Sequence, residues 1–473
     1  MVFSTNLFLF LFLPLFLLVY YLLPFRFKSV WILLASYIFY AWWRVDFAAL
    51  FFVTMLWSYW VGAVIARSRD SNPQRAKLAL VAGTIGNLGT LAYFKYFNFG
   101  VDSLNAVLTS LGGQALETWS VILPIGISFY IFQATSYFID VYRRDAPPAK
   151  NFWDLSAFIA LFPQLVAGPI LRYKDVADQF YERTHTWEKF SEGSMRFMVG
   201  FCKKILIADT VAPLVTMTFN QSDPSFADAW LGALAYALQL YFDFSAYSDM
   251  AVGLGLMMGF RFMENFNHPY ISKNITEFWQ RWHISLSTWL RDYLYIPLGG
   301  NRKGVSRTYV NLILVMLLGG LWHGANWTFV IWGAWHGGIL ALERFLGKPK
   351  RWQEIPAWLA IPRTLFLVII GWVTFRATSA SEAFSFYAGM FGLNGFALSE
   401  AVAWQITGLQ LTMLVLGYLL VYLGPWWRSY LATVSPARQQ SLLNVHLAVM
   451  PLFVLAVTRL SAQNFSPFLY FQF

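Results

Sequence analysis

His323 and His283 are the residues of this chain whose type and setting suit proton transfer. His323 stands in Gly319-Gly320-Leu321-Trp322-His323-Gly324-Ala325-Asn326-Trp327, at the end of an apolar stretch that begins at Thr308. A second apolar run follows as far as Leu342. Basic residues bracket the pair: Arg302, Lys303 and Arg307 before it, Arg344, Lys348, Lys350 and Arg351 after it. An excess of Lys and Arg marks cytoplasmic loops, so both ends read as cytoplasmic. Two full crossings need about 40 residues, and this stretch falls short of that, so the turn carrying His323 is expected within the membrane or near its far face. A helix starting at Thr308 places His323 about 22 Å in, at 1.5 Å per residue. An ionisable side chain at such depth is a functional-site hypothesis by default. The plainer reading is a histidine that only hydrogen-bonds between helices. Gly319, Gly320 and Gly324 weigh against it, because they let a backbone or a thin substrate come close. Trp322 and Asn326 flank the ring, and Asn326 offers both a donor and an acceptor.

His283 lies in Trp282-His283-Ile284-Ser285-Leu286-Ser287-Thr288-Trp289-Leu290-Arg291-Asp292-Tyr293. On an assumed helix it shares a face with Ser287 and Leu290, with Asp292 to one side; the alternative is an interfacial histidine solvated by headgroups. His336, nearer the cytoplasmic cluster, reads as structural, and His185 and His446 as solvated loop residues. The histidine spacings match no metal signature, so no metal site is expected. Asp243 and Asp249 interrupt an otherwise apolar run and must face protein or water. They either orient a histidine or pair with Arg261, Arg281 or Arg291, and structural pairing is favoured. No phosphate-binding glycine loop or nucleophile elbow is present.

The elements that position these residues belong to a membrane protein. Of 473 residues, 58% are hydrophobic and 12% charged, and the mean hydropathy is +0.51; no soluble domain of this size has that composition. The net charge of +10 is spread over short loops, with no basic tract or nucleic-acid motif, so no nucleic-acid partner is expected. The single cysteine, Cys202, excludes an intrachain disulfide and packs as a small apolar residue. Leu7–Leu23 has no basic residue before it and no small-residue cleavage site after it, and so reads as a retained membrane helix.

Arg67–Lys77 carries four basic residues against Asp70, and Arg143–Lys150 three against Asp145, whereas Tyr96–Thr118, Asn220–Asp228 and Thr378–Trp404 carry no Lys or Arg and two acidic residues each. The first group is expected in the cytoplasm and the second outside. Apolar runs fall at 7–23, 29–43, 47–66, 78–95, 119–141, 152–170, 194–216, 229–260, 308–322, 325–342, 357–376, 405–424 and 446–461. Stretches 152–170 and 308–342 look re-entrant, which leaves about 9 to 12 crossings with both termini outside. Lys174–Glu192 reads as an interfacial helix. Asn265–Gly300 reads as helices at the surface or dipping into a protein-lined cavity. The chain is expected to be all-α, a single integral-membrane domain comprising N-terminal helices (1–150), a core (151–345) and C-terminal helices (346–473).

At Tyr241–Asp249, Met257–Tyr270, Ile275–Gly300 and Leu317–Gly337 the chain resembles the membrane-bound O-acyltransferase superfamily, and within it the bacterial branch that O-acetylates polysaccharides, most closely its alginate members. Tyr40-Ala41-Trp42-Trp43 and Ser466-Pro467-Phe468-Leu469-Tyr470-Phe471 fit as well. The resemblance implies a ring of membrane helices around a thinned centre with a tunnel joining the two faces. It matches His323 to the superfamily's invariant histidine, and His283 to a second polar position filled by His, Asn or Asp. It implies an inner-membrane enzyme that needs no cofactor and takes acetyl from a cytoplasmic donor, acetyl-CoA. Periplasmic partner acetyltransferases then pass the group to a secreted polymer, alginate first and cellulose second. Acyl transfer from thioester to hydroxyl needs a base and donors for the developing oxyanion. His323 is the candidate base, with a covalent acetyl-histidine left open; His283 and Asn326 are candidate orienting groups or oxyanion donors. A carrier that performs no covalent chemistry is the rival from another class.

Overall fold

The computed structural model describes residues 1–347, 355–433, 446–462 and 468–469, and every regular element among them is helical. Lys348, Lys350, Arg351 and most of the 466–471 motif lie outside the described residues, as does the side chain of His446, the first residue of a helix. The chain forms two compact units, residues 1–194 with 251–263 and residues 195–250 with 264–473. Four described helices are long and apolar enough to cross a membrane: Asp46–Ser68, Val305–His323, Ala357–Arg376 and Gly408–Trp427.

The first unit is built from α1 (Leu13–Leu22), α2 (Phe25–Ala41), α3 (Asp46–Ser68), α4 (Pro73–Ser110), α5 (Ile127–Arg143), α6 (Phe152–Ala160), the single turn α7 (Tyr173–Val176) and the start of α8 (Trp187–Cys202). Helix α4 departs from expectation. Tyr96–Thr118 reads as a loop, yet the helix continues through Ser110, about 57 Å in all for 38 residues. No proline occurs between Pro73 and Gly112-Gly113, and the single glycine of Tyr96–Leu111, Gly100, is tolerated. The returning chain is pinned along the helix by two asparagines: Asn98 Oδ1 accepts from Val121 N at 2.9 Å and Asn105 Oδ1 from Leu116 N at 2.7 Å. Residues 161–171 follow α6 as non-helical backbone and are buried throughout. Some of their polar groups are met internally: Phe162 N donates to Ser36 Oγ at 3.1 Å, and Gln164 Nε2 to the Phe158 carbonyl of α6 at 2.8 Å, as irregular backbone inside a membrane protein requires.

The second unit continues with α9 (Asp209–Phe219), α10 (Phe226–Met257), α11 (Ile275–Arg281), α12 (Ile284–Leu290), α13 (Val305–His323), α14 (Trp327–Phe345), α15 (Ala357–Arg376), α16 (Ala380–Met390), α17 (Glu400–Ala403), α18 (Gly408–Thr433) and α19 (His446–Ala462). Helices α13 and α14 have 19 residues each, so the 308–342 hairpin has longer arms than its apolar residues alone suggest. The polar Ser306 and Arg307, and the charged Glu343 and Arg344, extend the two arms. The glycines around His323 do not face open space. A Cβ on Gly320 would lie 2.2 Å from the Phe329 carbonyl oxygen, and one on Gly333 2.5 Å from that of Met316. They bring the two helix backbones together, as small residues do between membrane helices.

Between α8 and α9 the chain takes one π-helical stretch, Lys203–Ala208. Here the two aspartates of α10 find their partners. Lys204 Nζ binds Asp243 Oδ1 at 2.6 Å and Asp209 Oδ1 at 2.8 Å, and Lys203 Nζ binds Asp249 Oδ2 at 2.6 Å. Arg196 reaches Asp249 at 2.9 Å. The arginines expected to pair with Asp243 and Asp249 are engaged elsewhere: Arg261 with Glu192, Arg281 with Glu277, and Arg291 with Asp292. The lysines were overlooked because in a regular α-helix consecutive residues diverge by about 100°, and the wider π turn changes that register.

Candidate functional site

His323 is the last residue of α13 and is 6% exposed; His283 is fully buried. Their ring centroids are 6.2 Å apart. Four helices furnish the surroundings. Trp322 of α13, Trp332 of α14 and Phe375 of α15 meet the His323 ring at 5.1, 5.2 and 5.1 Å, all near edge-to-face. Phe244 of α10 meets His283 at 4.7 Å, and Trp322 touches it at 5.9 Å. An apolar box of this kind removes competing water and strengthens whatever electrostatic interaction forms inside it. Both rings are buried, and His323 is the less completely enclosed of the two.

The single helix assumed through 282–293 does not form. It breaks at His283, whose φ of 44° and ψ of 54° are left-handed, and α12 begins at the next residue. The cause is Asn265, which the sequence reading did not single out. Its carbonyl accepts Ile284 N at 2.9 Å, its side-chain oxygen accepts Ser285 N at 3.2 Å and Ser285 Oγ at 2.8 Å, and its amide donates to Ser248 Oγ at 3.0 Å. Asn265 therefore caps α12 in place of His283 and leaves the imidazole for the site. An asparagine beside Phe266, in Glu264-Asn265-Phe266-Asn267, was the available signal; the left-handed backbone eighteen residues away at His283 was not visible. Because αL is tolerated by Asn and resisted by β-branched residues, His283→Asn is expected to fold normally while losing only part of the activity. His283→Val should in addition lower stability by about 1–3 kcal/mol. Thermal midpoints of the two purified variants check this.

Asn326 and Asp292 lie near the site but have other employment. Asn326 caps α14, its oxygen accepting Thr328 N at 3.1 Å, and its amide donates to Thr378 O at 2.9 Å. This fixes the turn that follows His323 and uses the side-chain oxygen for capping. Asp292 sits in a π turn, Arg291–Tyr295, and pairs with Arg291 at 2.7 Å. Asp243 and Asp249 are held by the lysines described above. His336 is buried among Trp279, Trp332 and Trp372, at 5.1, 4.9 and 6.1 Å. Gly371 makes room for it: a Cβ there would lie 2.5 Å from its Nε2. His185 is half-buried rather than solvated and meets Tyr20 Oη at 2.9 Å.

Residues 143–375 match the membrane-bound O-acyltransferase family, MBOAT. Over its whole length, and that of the relative, the chain is 55% identical to the probable alginate O-acetylase AlgI of Pseudomonas putida. The identity to the protein of that name in Pseudomonas aeruginosa is 50%, again over all of both chains. It is 37% to the peptidoglycan O-acetyltransferase of Helicobacter pylori, over 84% of this chain and 81% of that one. Both histidines and every helix that surrounds them but one, the last residues of the aromatic box included, fall inside the matched segment. The chain is a multi-pass membrane protein and an acyltransferase, and it belongs to the membrane-bound O-acyltransferase family.

Proposed function

We propose that this protein is an inner-membrane O-acetyltransferase that serves alginate, taking acetyl from acetyl-CoA in the cytoplasm and delivering it to the periplasmic side. The observation that carries the reading is the histidine pair, two buried rings 6.2 Å apart, inside a family of acyltransferases. The substrate follows from full-length relatives named alginate O-acetylase. Alginate is preferred over cellulose for that reason. A donor in the cytoplasm and an acceptor outside cannot meet across about 30 Å of hydrocarbon, so a passage to His323 from each face is required. The charge asymmetry of the loops supports a periplasmic location for both termini.

In the reaction, His323 takes the proton of the acceptor hydroxyl as its oxygen attacks the thioester carbonyl. The carbon–sulfur bond breaks, the ester forms, and the proton goes on to the departing CoA thiolate. The acceptor is a hydroxyl of a periplasmic partner acetyltransferase or of the polymer itself. His283 acts as a positioning residue for the first ring. The test is to reconstitute the purified chain in vesicles with labelled acetyl-CoA on one side and alginate, with its periplasmic acetylating partners, on the other. Free CoA thiol and labelled ester should appear together. Movement of solute with no thiol released would favour the carrier instead.

A further inference from the structure

Two buried cations in the first unit have no carboxylate partner among the described residues. Lys28, near the start of α2, and Arg183, in the segment before α8, are 6% and 7% exposed. Tyr20 gathers them. Arg183 Nε donates to Tyr20 Oη at 2.9 Å, Lys28 Nζ lies 4.1 Å from the Tyr20 ring centroid and donates to the Tyr20 carbonyl, and Tyr20 Oη donates to Met258 O at 2.7 Å. The hydroxyl proton being spent on Met258, His185 Nε2 at 2.9 Å must be a donor to that oxygen. Burial and the neighbouring Arg183, Lys28 and Lys189 push the His185 pKa down to about 4, so the ring adds no charge and no anion offsets the cations. Arg183 Nη1 reaches Gln179 O at 3.1 Å, but its Nη2 is buried with no hydrogen-bond partner. The guanidinium lies over the rings of Phe260 and Phe25, at 4.4 and 4.9 Å. Lys189 Nζ adds a third positive charge held by oxygens alone, Thr184 Oγ1 at 2.7 Å and Gly259 O at 3.4 Å.

Buried charges in proteins are paired, and a guanidinium with one end nitrogen, Nη2, still without a hydrogen-bond partner is suited to a phosphate oxygen. The rim indicates which phosphate. Leu22, Phe25, Phe27 and Trp187 are 75, 39, 46 and 76% exposed, an apolar fringe suited to acyl chains rather than to water. We propose that Lys28, Arg183 and Lys189 hold the phosphodiester of an anionic phospholipid, of the phosphatidylglycerol type, against α1 and α2. No ion pair with a carboxylate holds Lys28, Arg183 or Lys189 among the described residues, so the net positive charge of the site favours an anionic headgroup over a zwitterionic one. Bound lipid would supply the missing counter-charge and fasten the first two helices to the segment before α8.

The full-length protein, purified and delipidated in detergent, is titrated with short-chain phosphatidylglycerol or phosphatidylethanolamine and read by native mass spectrometry. In a separate arm it receives inorganic pyrophosphate. Wild type should bind phosphatidylglycerol in preference to phosphatidylethanolamine, and Lys28→Gln should weaken that binding about fivefold, the effect of one charge at an anionic surface. Arg183→Lys, which keeps the charge and loses the fork, should weaken it as well. Equal affinity of wild type for the two lipids, or unchanged binding by a folded Lys28→Gln protein, would overturn the proposal. So would pyrophosphate that binds and displaces the lipid at equal concentration, since it would assign the site to a soluble phosphate. The readout is binding, so it does not depend on the acetyl-transfer reading.

Discussion

Replacing His323 with alanine is expected to reduce acetyl transfer about 10²–10⁴-fold, the contribution of a positioned general base, while leaving membrane insertion and polymer secretion intact. The side chain ends α13 among aromatic rings, and its removal leaves the backbone hydrogen bonds of the helix unbroken. The cavity left by one imidazole in an aromatic box is a modest loss of packing. The measurement is acetyl content of secreted polymer together with protein level in the membrane. Full acetylation by His323→Ala would end the catalytic assignment. His283→Ala should fall between the variant and wild type, because the second ring acts through the first.

Lys204→Met is expected to cause the largest loss of stability, about 3–5 kcal/mol, the effect of removing one partner from a buried charge cluster. Lys204 is 2% exposed and neutralises Asp209 and Asp243 together, and Asp243 also accepts Leu469 N at 2.9 Å through its other oxygen. Without the ammonium, two carboxylates remain in an apolar interior. One expected consequence is release of the 468–469 segment from α10. Thermal unfolding of purified protein reads the loss, and Asp243→Asn in the same chain should recover part of it by removing one uncompensated charge. A Lys204→Met protein as stable as wild type would show that the cluster is not what holds α9, α10 and the C-terminal segment together.

Much of the helical layout is legible in the chain. Ala357–Arg376 coincides with the apolar run at 357–376, and Asp46–Ser68 brackets the run at 47–66. Long apolar stretches bounded by charge leave no other backbone solution in lipid. Ends set by polar residues are less legible: α4 outruns its apolar core because Asn98 and Asn105 tie the returning chain to it, and such ties connect residues 11 and 23 positions apart. Electrostatic pairing fares similarly. Asp243 and Asp249 were correctly read as paired, with the wrong partners, since a π turn moves Lys203 and Lys204 off the faces a regular helix would give them.

By itself, the sequence determined that the chain is helical and membrane-embedded and that two histidines forty residues apart are the groups to test. Composition and the cost of burying ionisable side chains are local properties, written in residue type. The tertiary structure alone decided that those rings stand 6.2 Å apart, that Asn265 rather than His283 caps α12, and that the glycines near His323 serve helix contact. Each of these depends on which backbone groups from distant parts of the chain find one another, and hydrogen-bond satisfaction in a water-poor interior is settled only once the helices have packed.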